Sequence, residues 1–117
     1  MQFENLDVWK RSARQCAEVY KFFSNQGHRV FKDQICRSAL SIPCNIAEGV
    51  ERDSAKEKVR FLNIAKGSAA EFITQSYIGI EAGILDRSTG LGWVREGREI
   101  AAMIAGLTNR IRAAESC

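Results

Sequence analysis

Residues 31–52 read FKDQICRSALSIPCNIAEGVER, and how this stretch divides decides the fold class. Placed at 100° per residue, Ile35, Cys36, Ala39, Leu40, Ile42, Ile46 and Ala47 fill one wide apolar arc. Gln34, Arg37, Ser38, Ser41, Asn45, Glu48 and Arg52 fill a narrower opposite stripe of roughly 100°. The pattern predicts a helix over residues 31–49. An apolar arc this wide suggests contact with more than one neighbouring helix, among them a helix from another subunit. Pro43 lies inside the pattern, where it removes a backbone N–H and crowds the Ala39 carbonyl, so the helix must kink or restart there. The apolar period passes unbroken from Ile35 through Ile42 to Ile46, which favours a kink.

The flanking segments carry the same period. Before the stretch, Trp9, Ala13, Cys16, Tyr20 and Phe23 recur every three or four residues, predicting a helix over residues 5–24 that ends at Ser24-Asn25-Gln26-Gly27. After it, Ser54-Ala55-Lys56-Glu57 has the form of a capping box, in which Ser54 accepts from the Glu57 N–H and the Glu57 carboxylate reaches back. A third helix is expected from there to about residue 85, with Phe61, Leu62, Ile64, Ala65, Ala69, Phe72, Ile73 and Ile80 on one face. Ala65, Ser68, Gly79 and Gly83 lie along it and allow close packing. Residues 86–92 read as a loop by composition, followed by a fourth helix with Trp93, Ile100, Ile104, Leu107 and Ile111 inward. Short joins between long helices predict an all-α, antiparallel, up-and-down four-helix bundle, one domain over residues 1–117.

Composition bounds the function. The chain has 117 residues, 45% apolar and 26% charged, with a single proline, which suits a soluble helical domain rather than a disordered or β-sandwich chain. The net charge of +3 is thinly spread: +1 over residues 1–27, zero over 28–53 and over 54–86, and +2 over 87–117. The N-terminal residues, with acids at Glu4 and Asp7, lack a basic stretch followed by an apolar core, and no apolar run reaches membrane-spanning length, so a cytoplasmic protein without a membrane partner is expected.

Cys16, Cys36, Cys44 and Cys117 form no C-x-x-C pair, and His28 is the only histidine, so neither a metal nor another cofactor is expected. Cys36 and Cys44 stand about 12 Å apart along one helix, beyond disulfide reach, and reduced thiols fit better. No nucleophile elbow, phosphate loop or dinucleotide fingerprint occurs, and His28 falls in a predicted loop, so the chain does not read as an enzyme. A helix-turn-helix reading of the second and third helices fails because the third is far too long for a recognition helix.

The polar stripe of the second helix leaves two readings open. It is a solvated face, or it is a hydrogen-bonded seam in which Arg37 and Glu48 find partners on the third helix, Ser68 and Glu71 being the candidates. A buried Arg37 would require an acceptor such as Glu71. Lys10, Arg11 and Arg14 on the first helix and Arg95, Arg98, Arg110 and Arg112 on the fourth are the candidate phosphate contacts for nucleic acid.

Leu6-Asp7-Val8-Trp9, residues 34–52 and residues 61–71 (FLNIAKGSAAE) resemble the four-helix-bundle family of proteins encoded in intervening sequences of bacterial 23S ribosomal RNA genes. The resemblance rests on Ser-Ile-x-x-Asn-Ile-Ala-Glu-Gly followed by Phe-Leu-x-Ile-Ala-x-Gly-Ser. It implies a left-handed bundle, no enzymatic activity, and a ring-like homo-oligomer, a pentamer in the first instance. By position, the family's signature falls on Arg37, Ser41, Asn45, Glu48, Gly49, Phe61, Gly67, Ser68 and Glu71, coinciding with the polar stripe. A related branch comprises the accessory proteins of diversity-generating retroelements, which work with a reverse transcriptase and nucleic acid.

Two functions follow from these readings. The first is a structural or interaction module partnered by itself and by another protein. The second is a nucleic-acid-binding accessory protein, for which weak, salt-sensitive and sequence-indifferent binding of RNA or DNA is expected.

Overall fold

The computed structural model describes residues 2–116, so Met1 and Cys117 lie outside the described residues. A short 3-10 turn over Phe3–Asn5 leads into four helices: α1 (Asp7–Phe22), α2 (Arg29–Val50), α3 (Ala55–Glu81) and α4 (Arg87–Ser116). No strand occurs among the described residues. The bundle measures 50 × 22 × 21 Å.

Residue pairings show that α2 runs antiparallel to α3 and α1 to α4. Along α2 and α3, Ser38 bonds to Gln75, Ser41 to Ser68, and Lys58 to the Val50 carbonyl, so partners fall in number on one helix as they rise on the other. Between α1 and α4, Gln15 reaches Trp93 while Arg11 reaches Glu96 and Met103. One apolar core joins all four helices, with Val19, Phe23, Ile35, Ile46, Leu62, Phe72, Ile100 and Ile104 wholly sealed from solvent. The rings of Phe22, Phe23 and Phe72 gather around Trp93 at centroid distances of 5.4, 6.2 and 5.9 Å.

α2 passes through Pro43 as one helix and does not restart; Pro43 is buried at the edge of the α1–α2 groove, between Ile42 and Ile46, which lie in the core. At the start of α3, Ser54 Oγ accepts from the Glu57 N–H at 3.1 Å, as the capping box requires. The Glu57 carboxylate instead holds Arg60, at 3.0 and 3.2 Å.

Two boundaries differ from the sequence-based expectation. α3 stops at Glu81 rather than near residue 85, because Gly83 adopts φ 76° and closes the helix. The Gly83 N–H bonds to the Ile80 carbonyl at 3.1 Å and the Ile84 N–H to the Gly79 carbonyl at 2.9 Å, the paired bonds of a glycine-terminated helix. α4 begins at Arg87, so residues 87–92 are helix and not loop. The Asp86 carboxylate caps that helix by accepting from the Thr89 N–H at 2.9 Å, and these bonds hold its pKa below the usual carboxylate range. Gly90, which reads as a loop residue in isolation, is buried where a Cβ would collide with Ile80 of α3.

Two side chains also exchange places relative to the helical wheel. Ser38, placed on the polar stripe, is fully buried, whereas Leu40, placed in the apolar arc, is 45% exposed. α2 is turned so that Ser38 faces α3, where its hydroxyl donates to the Ile35 carbonyl at 3.1 Å and meets Gln75.

Candidate functional site

The polar stripe of α2 meets α3 rung by rung. Arg37 Nη2 donates to Gln34 Oε1 at 2.7 Å and lies 3.6 Å from Glu71 Oε2. One turn on, the hydroxyls of Ser41 and Ser68 bond at 2.8 Å, and Asn45 Nδ2 donates to the Ser41 carbonyl at 2.8 Å and to its Oγ at 3.0 Å. Glu48 pairs at 2.8 Å with Arg52, two residues beyond the end of α2, and does not reach α3. Ser68 is buried, Ser41 and Asn45 are half-buried, and Gln34, Arg37, Glu48 and Glu71 are exposed. Each open reading therefore describes part of the stripe: its middle is a hydrogen-bonded seam and its ends are solvated. Gln75 is the member that sequence reasoning missed, although its spacing of seven residues, two turns, from Ser68 signals the same face.

At the α2–α3 corner the guanidinium carbons of Arg52 and Arg60 stand 4.7 and 4.5 Å from the centre of the Phe61 ring. Stacking of this kind fixes both arginines against an aromatic face.

The candidate phosphate contacts are dispersed. Arg11 is engaged, donating from Nε to Glu96 Oε2 at 2.8 Å and from Nη2 to Glu99 Oε1 at 2.9 Å, and these carboxylates raise its pKa further above the ordinary arginine range. Lys10 and Arg14 are exposed on α1. Arg95, Arg98, Arg110 and Arg112 are exposed along about 25 Å of α4, and Arg98 reaches the Tyr77 hydroxyl at 3.3 Å.

A third feature lies between α1 and α2. Trp9, Ala13, Cys16, Leu40, Pro43, Cys44 and Ala47 border an open apolar groove of about 290 Å³. Leu40 and Tyr20, at 45% and 47% exposure, and the exposed Cys44 lie along this side of the bundle. Burial, with smaller contributions from Cys36 and Cys44, pushes the Cys16 thiol up to about 11, so it is protonated at neutral pH. A larger hollow, about 570 Å³, lies between residues 5–8 and α4, with Leu6, Val8, Met103 and Leu107 as apolar lining. Among the described residues no cluster of three or more His, Cys, Asp or Glu side chains is arranged to hold a metal ion. No helix among them is long and apolar enough to cross a membrane.

The family model for the 23S rRNA-intervening sequence protein matches residues 4–106. The chain belongs to that family. The match covers α1, α2 and α3 whole, together with the first two-thirds of α4, and so includes the seam and the groove. The bundle is also similar to the crystal structure of a protein of unknown function from the S23 ribosomal protein family of Bacteroides thetaiotaomicron VPI-5482. That similarity has a TM-score of 0.81 at 26% identity and covers 86% of this chain and 97% of the other. No functionally curated protein matches the sequence.

Proposed function

We propose that this member of the 23S rRNA-intervening sequence protein family is a non-enzymatic helical module that works as a homo-oligomer and docks a further protein. The observation that carries the reading is the uncovered apolar side of α1 and α2, where Leu40, Tyr20 and Cys44 meet solvent beside the groove. A contiguous apolar face on a small soluble bundle marks a contact surface. The main polar groups are used to join helices to one another, Ser41 to Ser68 and Arg11 to Glu96, rather than converging on the groove. That supports a structural over a chemical role. A ring of five subunits is the form that the family resemblance implies.

Light scattering coupled to size-exclusion chromatography tests the reading. The expected result is a stable multiple of the 13.1 kDa chain at micromolar concentration, and a mass of one chain there would reject it. Purification from native cells, with identification of the proteins and RNA that accompany the chain, tests the second half. Recovery of RNA without protein would favour the nucleic-acid reading instead.

A further inference from the structure

The Arg11 guanidinium is fixed along one edge and weakly bonded at the other. Nε and Nη2 hold the Glu96 and Glu99 carboxylates, whereas the acceptor that Nη1 meets among the described residues is the thioether of Met103, with Sδ at 3.5 Å. A thioether sulfur is a weak acceptor, so Nη1 has no strong partner within the protein. The two-pronged bond to Glu96 keeps the planar guanidinium from turning to find one. Met103 is half-buried and lines the open hollow of about 570 Å³ between residues 5–8 and α4, so small solutes reach its sulfur from solvent.

We propose that Met103 is a site of reversible oxidation by peroxide, and that Arg11 Nη1 receives the sulfoxide oxygen. In this step a sulfur lone pair attacks one peroxide oxygen, the S–O bond forms as the O–O bond breaks, and the departing hydroxide takes the proton of the transferred oxygen to leave as water. The sulfur loses two electrons and the peroxide gains them. A sulfoxide ordinarily disrupts the packing around a methionine, because it sets a polar oxygen where a bare thioether lay. Here an oxygen lying to one side of the Sδ···Nη1 line accepts a charge-assisted hydrogen bond from a donor already in place. The disruption is offset where it arises, and the hollow, apolar at Leu6, Val8 and Leu107, acquires a polar group. The site lies on the α1–α4 side and does not depend on the docking face of α1 and α2.

Wild type, Arg11→Ala and Met103→Leu would be treated with hydrogen peroxide and then with dithiothreitol, which returns disulfides and sulfenic acids to thiols. Peptide mass spectrometry reads oxygen addition at Met103, and urea unfolding is followed before and after treatment, with circular dichroism to check that each variant is helical. Met103 should oxidise at a rate within about tenfold of that of free methionine in the same solution, and methionine sulfoxide reductase should reverse it. Oxidation should lower the urea midpoint of Arg11→Ala about twice as much as that of wild type, or more, and leave Met103→Leu unchanged. In the wild type itself, the Arg11 side-chain N–H resonances should shift on oxidation and exchange more slowly with water. A Met103 that resists peroxide while free methionine is consumed overturns the site. An oxidation cost that is the same with and without Arg11, or Arg11 resonances that do not respond, overturns the role of Arg11.

Discussion

Arg11 of α1 grips Glu96 of α4 with two parallel hydrogen bonds, Nε to Oε2 at 2.8 Å and Nη2 to Oε1, while the same Nη2 holds Glu99 at 2.9 Å. With the Gln15 bond to the Trp93 carbonyl at 3.3 Å, this pair is a main polar tie between the first and last helices. Two-pronged geometry and one-third exposure put the pair above an ordinary surface contact. Arg11→Ala and Glu96→Ala should each lower unfolding stability by on the order of 1 kcal/mol, and the double variant by less than their sum. Urea unfolding of the four proteins measures this, and strictly additive losses would mean that the pair contributes no coupling.

The same pair sets a pH dependence. Hydrogen bonding to Arg11 holds Glu96 below the usual carboxylate range, against an opposing effect of burial. A carboxyl whose folded pKa lies below its unfolded value of about 4.3 stabilises fully above that value and loses the contribution as pH falls through the folded pKa. The stability difference between wild type and Glu96→Gln should therefore be present near neutrality and shrink on acidification below about pH 4. A difference that stays constant with pH would contradict the assignment.

Along the α2–α3 seam, position predicts a ranking. Arg37 and Glu71 stand 3.6 Å apart with side chains 62% and 45% exposed, so Glu71→Ala should cost less than about 1 kcal/mol. Ser68 is buried and bonded to Ser41, so Ser68→Ala should cost about 1 kcal/mol or more by leaving that hydroxyl short of a partner. Thermal unfolding decides the order. A Glu71 loss of several kcal/mol would show that the arginine is sealed from water in solution.

Two glycines should respond in opposite directions. At Gly90 an added Cβ collides with Ile80, and Gly90→Ala should cost about 1–3 kcal/mol as α3 and α4 are pushed apart. At Gly67 nothing lies within 4 Å of the Cβ position, and Gly67→Ala should stabilise α3 by about 0.5–1 kcal/mol. Denaturant midpoints measure both. Equal effects would mean that backbone propensity, and not the α3–α4 contact, governs Gly90.

Helical class, the number of helices and most inward positions were legible in the chain because a 3.6-residue apolar period is a property of neighbours in sequence, although Tyr20 and Ile64, placed inward, are exposed. The Ser54 start was legible for the same reason, since a cap lies within one turn of its partner. Residues 87–92 were misread as loop because Gly90 and Gly92 look like turn residues until Ile80, brought in from another helix, explains why Gly90 has no side chain. The stripe residues Ser41, Asn45 and Ser68 could be placed on a polar face from their spacing. Which of them is buried depends on how far α2 is rotated against α3, and a helical wheel carries no information on that angle. The same rotation sealed Ser38 and exposed Leu40. Arg11, read as a candidate phosphate contact, is held by carboxylates 85 and 88 residues away, a distance at which only packing decides what meets. Local periodicity, in short range along the chain, determined which elements form, whereas the angles and levels at which those elements pack determined which polar groups are satisfied and which apolar ones are left facing water.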